Sequence, residues 1–532
     1  MGHRTGVAVL AAIMVLAVAP VASAAPACPD RLDPSSLPSA AGLRALNAKE
    51  WSYGPRPTGS PAHQRMVAWL ERELRRVPGL RVSSLPYRID AWAPRSAGLT
   101  VSAAGRTLTL PVAAPVPYSK ATAAGGVTAP LVHVPGDQPI TAANAAGRIV
   151  VRDAPPGRVP LGAFLPGALG YALYDPGHTV DPAATFEGDF LNYNARVHDL
   201  RDAATAGAAG VVFLKDRPRA QLRGHFEPYE GRSWGVPGVF LGADEATQLT
   251  AALEADPGAR ASLTLRAARP RVTTRTLLAT LPGRSDRRLV IESHTDGTNA
   301  VEDNGPVAIL AMARALARLP VTCRPRTIEF AFPTAHFYQR VASPDLRHGG
   351  AGVLARALDR EYDRGKVAGV IVLEHLGARE YKPVARPGRP GRELRLSGRS
   401  ELSQVFVTPS APLRAAVQRQ VERHRLDRTA MMVGADGTDP ARAAEHCSFG
   451  GEGTPYAEQL LPTVALISAP ASLYDPAFGL DSIDFARMRA QTLAFGDLAL
   501  ELSRMPAGTI AGDVTAERSR RLAGATACPA DL

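Results

Sequence analysis

The stretch LVIESHTDGTNAVEDNGPVAILAMARAL, residues 289–316, carries the densest set of side chains that could do chemistry. His294 and Asp296 stand two apart at the end of an apolar run, and Asp303 and Asn304 stand just ahead of a run with helical spacing. Neutral imidazole and carboxylate are zinc ligands, and a carboxylate near a ligating His commonly orients it through its other ring nitrogen. His294 is therefore a candidate ligand and Asp296 its orienting partner. The same residues also permit a plainer reading, a polar loop in which Asp303 only caps the following helix.

Two other motifs are weaker. GRSWG, residues 231–235, has the spacing of a nucleophile elbow. An elbow needs a strand before its Ser and a helix directly after it, whereas Ser233 follows the loop-like HFEPYE and precedes the strand-like VPGVF. GGEGTPYAE, residues 450–458, is glycine-rich but follows no strand in the order that cradles a phosphate, so it reads as a loop lining a cleft near Glu452.

The elements that would position His294 alternate. RRLVIES, RTIEFAF and VAGVIVLEHLG read as strands, with GPVAILAMARALARL and AGVLARALDREYD as helices between them. Such alternation calls for an α/β fold with a mostly parallel sheet and helices on both faces. Ligands bind at the carboxyl ends of parallel strands, where His294, Asp296 and Asp303 would converge. Further on, SAPLRAAVQRQVERHRL is a helix, LPTVALISA a strand and DSIDFARMRAQTLAFGDLALELSRM a long closing helix. Upstream, Met66, Val67, Leu70, Leu74 and Val77 trace one face of an amphipathic helix. Between the two regions, short strand-like runs such as GLTVSA and GRIVVRD alternate with Gly, Pro and Ala turns, giving a β-rich unit. The expected plan is a leader at 1–24, the first part of the main domain at 25–97, an insert at 98–268, the rest of the main domain at 269–505 and a tail at 506–532.

The leader is read from Arg4, the apolar run after it and the small residues Ala22 and Ala24. It has the form of a secretory signal peptide, so the chain is expected to be exported; the run is short for a membrane span and is interrupted by Pro20. No other stretch is apolar enough to cross a bilayer. In an oxidising compartment the four cysteines should pair, and the expected pairs are Cys28 with Cys528, tying the termini, and Cys323 with Cys447. The net charge of +11 comes mostly from scattered arginines, which favours a solvated basic surface over a nucleic-acid site.

With HxD, a loop, DN and a helix of small residues in place, the chain resembles the co-catalytic zinc aminopeptidases, metallopeptidase family twenty-eight, which also holds carboxypeptidases and glutaminyl cyclases. RPTGSPAHQRMVAWLEREL, residues 56–74, resembles that family's first helix. AGAAGVVFL and VPGVFLGADEATQL resemble its protease-associated insert. The resemblance implies a peptide or aminoacyl substrate and one or two zinc ions. Asp303 would bridge the ions, with His294 and Glu374 completing the first position. The second position departs from the family. Its Glu-Glu pair is replaced by PTAHFY, which makes His336 the general base by one register and a ligand by the next, and Asp475 stands where the family has a His. His375, on the opposite face of a continuing strand, is expected to be structural, and Glu292 is a spare candidate for the base. The rival expectation is a non-catalytic binding protein that keeps the fold.

Overall fold

The computed structural model describes residues 1–3, 28–227, 235–337, 349–433 and 449–524. Most of the expected leader, Ser233 of the GRSWG motif, Cys447 and Cys528 lie outside them.

The main domain is built on a nine-stranded sheet. Its centre is four parallel strands in the order Arg326–Phe332, Ser285–Glu292, Val367–Leu373 and Thr463–Ser468. The first and third are buried along their whole length, which is why they read as unbroken apolar runs rather than alternating ones. Side-chain alternation feeds a core on each face. Leu289, Ile291, Phe330 and Ile371 pack with the helices Gly305–Ala317 and Phe485–Arg504. Val290, Ala331, Val370 and Val372 pack with Gly349–Tyr362 and Thr454–Glu458.

The sheet as a whole is mixed, which corrects the expectation of a mostly parallel one. Arg271–Leu281 runs antiparallel to Arg326–Phe332 and pairs along ten residues with Arg81–Asp90. On the other side, Ser403–Val407 is antiparallel to Thr463–Ser468 and parallel to Thr429–Val433, and Gly170–Tyr174 closes that edge antiparallel. The cause is connection length. A short turn after Leu281 reverses the chain, and the hairpin Arg379–Ala385 with Arg392–Ser400 stands where a helical crossover would be needed to keep strands parallel.

Residues 93–268 supply a second, eight-stranded sheet that is also mixed, with Val127–His133, Ile149–Asp153, Gly210–Leu214 and Gly238–Leu241 as its parallel run. Gly170–Tyr174, although within this stretch of sequence, pairs instead with Thr429–Val433 in the nine-stranded sheet. The described part of residues 506–532 has regular structure. Ala507–Ala511 and Val514–Leu522 are helical, with Ile510 buried in the main core.

The cysteine pairing also differs from expectation: Cys28 is bonded to Cys323, with Cα atoms 5.1 Å apart. The segment after Cys28 is laid along the closing helix, where Leu32 N donates to Asp497 Oδ1 at 2.7 Å and Arg489 holds the carbonyls of Pro34 and Pro38. That path brings Cys28 to the short turn Val321–Cys323, just ahead of the strand Arg326–Phe332. Among the described residues, no helix is long and apolar enough to cross a membrane.

Candidate metal centre

Three strand ends deliver the site. Ser285–Glu292 leads into His294, Arg326–Phe332 into His336, and Val367–Leu373 into Glu374 and His375. The loop between Ser285–Glu292 and the helix Gly305–Ala317 adds Glu302. All but His336 are fully buried, and the His336 side chain keeps 19% exposure, so it marks the open side.

The atoms that face one another lack partners. His294 Nε2, both Glu302 oxygens, Glu374 Oε2 and His375 Nε2 have no hydrogen bond to a described residue. Yet His294 Nε2 lies 3.5 Å from Glu374 Oε2 and 3.9 Å from Glu302 Oε1, and His375 Nε2 lies 3.8 Å from Glu374 Oε2. Two overlapping triplets, His294 with Glu302 and His336, and His294 with Glu374 and His375, have donor atoms within 4.8 Å of one another. Buried polar atoms are ordinarily paired. Unpaired nitrogen and oxygen donors gathered in two triplets around His294 are what a zinc ion would satisfy, so these residues fit the metal.

The electrostatics point the same way. Burial, with the neighbouring Asp303, Asp296 and Glu374 carboxylates, holds Glu302 well above the usual carboxylate range against the pull of His294. Burial alone would depress His294, but Glu302 and Glu374 outweigh it and raise it well above the ordinary imidazole value. Glu374 goes the other way, to about 2, because contact with His294 and the charge of His375 overcome its burial. Two carboxyls thus crowd a single imidazole in a buried site, and a bound cation would relieve the crowding.

The site's shape depends on small residues. A Cβ on Gly297 would collide with the Glu302 carboxylate and with Asp303, and a Cβ on Gly451, whose φ is +53°, would collide with Glu374. Asn299 sets the loop that aims Glu302. Its side-chain oxygen accepts from Val301 N and Glu302 N at 3.0 Å each, while its amide donates to the carbonyls of Ser472 and Leu473.

Against the expected residues, the structure brings His294, Glu374 and His336 together and takes three others elsewhere. Asp296 does not touch the His294 ring with its carboxylate; the ring Nδ1 meets the Asp296 carbonyl at 2.9 Å. The carboxylate instead accepts from Thr58 Oγ1 and from His336 N and Phe337 N, so it holds the His336 loop. Asp303 gives both oxygens to Arg56, at 2.6 Å from Nε and 2.5 Å from Nη2, with both side chains fully buried. Asp475 belongs to a separate buried network, bonded to Arg217 and, at 2.6 Å, to His225 Nδ1. In each case the loop turns the carboxylate toward an arginine, a histidine or a backbone amide.

Two donors were not expected. Glu302 precedes Asp303, and an acidic pair before a helix does not tell which member turns inward. A continuing strand would put His375 on the far face, but the strand stops at Leu373 and His375 takes a left-handed conformation with φ 55°. That turn brings its ring back to 6.2 Å from the His294 ring. At the open side, the His336 ring stacks on His294 with centroids 4.1 Å apart, and its Nδ1 is bonded to the Glu452 carboxylate. Its Nε2, 3.7 Å from Glu302 Oε1, faces the cluster.

No family model matches the sequence, and no curated protein does. Solved structures do match. A zinc aminopeptidase from Bacillus subtilis superposes with a TM-score of 0.58 at 16% identity, covering 88% of this chain and 98% of its own. A peptidase M28 precursor from Shewanella amazonensis gives 0.59 at 18%, covering 87% and 93%. An aminopeptidase from an Aneurinibacillus species gives 0.53 at 15%, covering 88% and 93%. The chain therefore shares the fold of these peptidases over nearly its whole described length.

Proposed function

We propose that this chain is an exported zinc-dependent hydrolase of peptide or related amide bonds, of aminopeptidase type. The observation that carries the reading is the pair of overlapping triplets around His294 Nε2, one through Glu302 and one through Glu374, whose facing donor atoms on these three residues are buried and otherwise unpaired. The shared fold with zinc aminopeptidases supports it, and the Cys28–Cys323 bond supports export.

In this reading His294 holds the ion together with Glu302 or Glu374, and His375 stands in reserve beside Glu374. When bound, zinc supplies Lewis acidity toward the scissile carbonyl and toward water. The chain's own residues do the rest. His336 sits at the mouth with Nδ1 fixed by Glu452, which leaves Nε2 as the atom that accepts a proton from the attacking water and returns it to the leaving amine. Asp296 positions His336 by accepting its backbone N–H at 3.2 Å. Glu302 and Glu374 carry the negative charge that keeps the cation in place. A protease-associated role for the insert at 98–268, an expectation from resemblance, belongs to the same proposal.

The test is hydrolysis of a panel of aminoacyl amides and short peptides by zinc-loaded protein, with a chelator control, beside His336→Ala. The reading expects turnover that the chelator removes, and a His336→Ala protein that keeps its zinc but loses most activity. Zinc-loaded protein that turns over no substrate on the panel supports instead the binding-protein alternative.

A further inference from the structure

We infer that the centre takes a single ion, because an arginine already occupies the role of the second cation. The inference rests on the metal reading of the site above and deepens it. A two-ion site needs a carboxylate shared between the ions and further donors on the far side of it. Asp303 holds the sequence position for sharing, but its two oxygens are both engaged by the Arg56 guanidinium, and neither side chain is exposed.

Arg56 is itself locked in place. Its Nη1 donates to the Gly54 carbonyl at 2.5 Å, its guanidinium lies 5.7 Å from the centroid of the Trp51 ring, and its backbone N–H donates to the Gly297 carbonyl at 2.8 Å. A guanidinium does not deprotonate to make way for a metal. Two further positions that would complete a second site beside Asp303 are also taken. Asp475 is held by Arg217 and His225, and where a second carboxylate would follow His336 the chain has Phe337, whose ring packs edge-on against Phe226 and Tyr474. Binding a second ion on Asp303 would strand a buried arginine, so a second equivalent should bind roughly a hundredfold or more below the first.

The experiment uses the full chain stripped with a chelator and retitrated with zinc, read by metal mass spectrometry and calorimetry, with cobalt substitution read by electron paramagnetic resonance. One tight equivalent per chain and a magnetically isolated cobalt are expected. Two tight equivalents or a spin-coupled cobalt pair would overturn the one-ion inference and leave the hydrolase reading standing. Absence of any tight equivalent would overturn both.

A second arm tests Asp303 directly. Asp303→Asn alone strands Arg56 and endangers folding, so the double variant Arg56→Met with Asp303→Asn removes both charges together. It should retain one zinc with affinity within tenfold of the parent. Loss of zinc from folded double variant would make Asp303 a ligand and overturn the inference, while wild-type stoichiometry decides the matter without any variant.

Discussion

Replacing Cys28 and Cys323 together by Ser tests the observed pairing and its energetic consequence. The bond joins residues 295 apart in sequence. In the chain-entropy treatment a closed loop of that size removes about 19 cal/mol/K from the unfolded chain, or about 5.7 kcal/mol at 25 °C. The native segment is independently anchored by Leu32 on Asp497 and by Arg489 on Pro34 and Pro38, so the variant should fold to the same structure and lose stability through its unfolded state. Residual structure in the denatured chain makes the calculated figure an upper one, and a loss of about 3 to 5 kcal/mol is expected. Urea unfolding followed by tryptophan emission should show a lower midpoint for the double variant. Reducing the parent should reproduce the shift arising from this bond. Peptide mapping without reductant should recover the Cys28 peptide joined to the Cys323 peptide. An unchanged midpoint would refute the entropic argument, and Cys28 joined to another cysteine would refute the pairing.

Three further outcomes are expected. Burial and the neighbouring Glu380 raise the Glu401 carboxyl to about 8. A raised folded value means that its contribution is intact below the unfolded value and is lost as pH climbs from about 4.5 through 8; Glu401→Gln should therefore match the parent at pH 4 and exceed it by roughly 4 kcal/mol above pH 8, and equal stability at both would defeat the reasoning. Lys215 donates to both Asp189 and Glu227 at 2.7 Å inside the buried network, so Lys215→Met should cost about 3 to 5 kcal/mol, checked by the same denaturation, with a cost under 1 kcal/mol counting against it. Gly297→Ala should drive Glu302 off its position and weaken zinc binding by roughly tenfold or more, with circular dichroism unchanged; parent affinity in that variant would remove Glu302 from the site.

What could be read from the sequence follows from how local the cause is. The central strands were legible because parallel strands covered on both faces need continuous apolar runs; His294 stood out as a candidate because it sits where such a strand ends, and Glu374 only through the family resemblance. The antiparallel flanks were not, since strand direction is set by the turn after Leu281 and the hairpin at 379–400 rather than by side-chain pattern. Glu302 and His375 escaped for a backbone reason: a side chain's aim depends on the Asn299 turn in one case and on a left-handed residue in the other. Arg56 lies 247 residues from Asp303, and nothing local to either marks the pair. The disulfide departs from expectation because pairing follows the path of the segment along the closing helix, not proximity of termini.

The most direct test of the metal centre is anomalous diffraction at the zinc edge from a crystal grown with zinc. The account predicts one strong peak about 2.0 to 2.2 Å from His294 Nε2 and from an oxygen of Glu302 or Glu374, with Asp303 still on Arg56. A second peak on Asp303, a peak only among Asp189, His225 and Glu227, or no peak at all would contradict it.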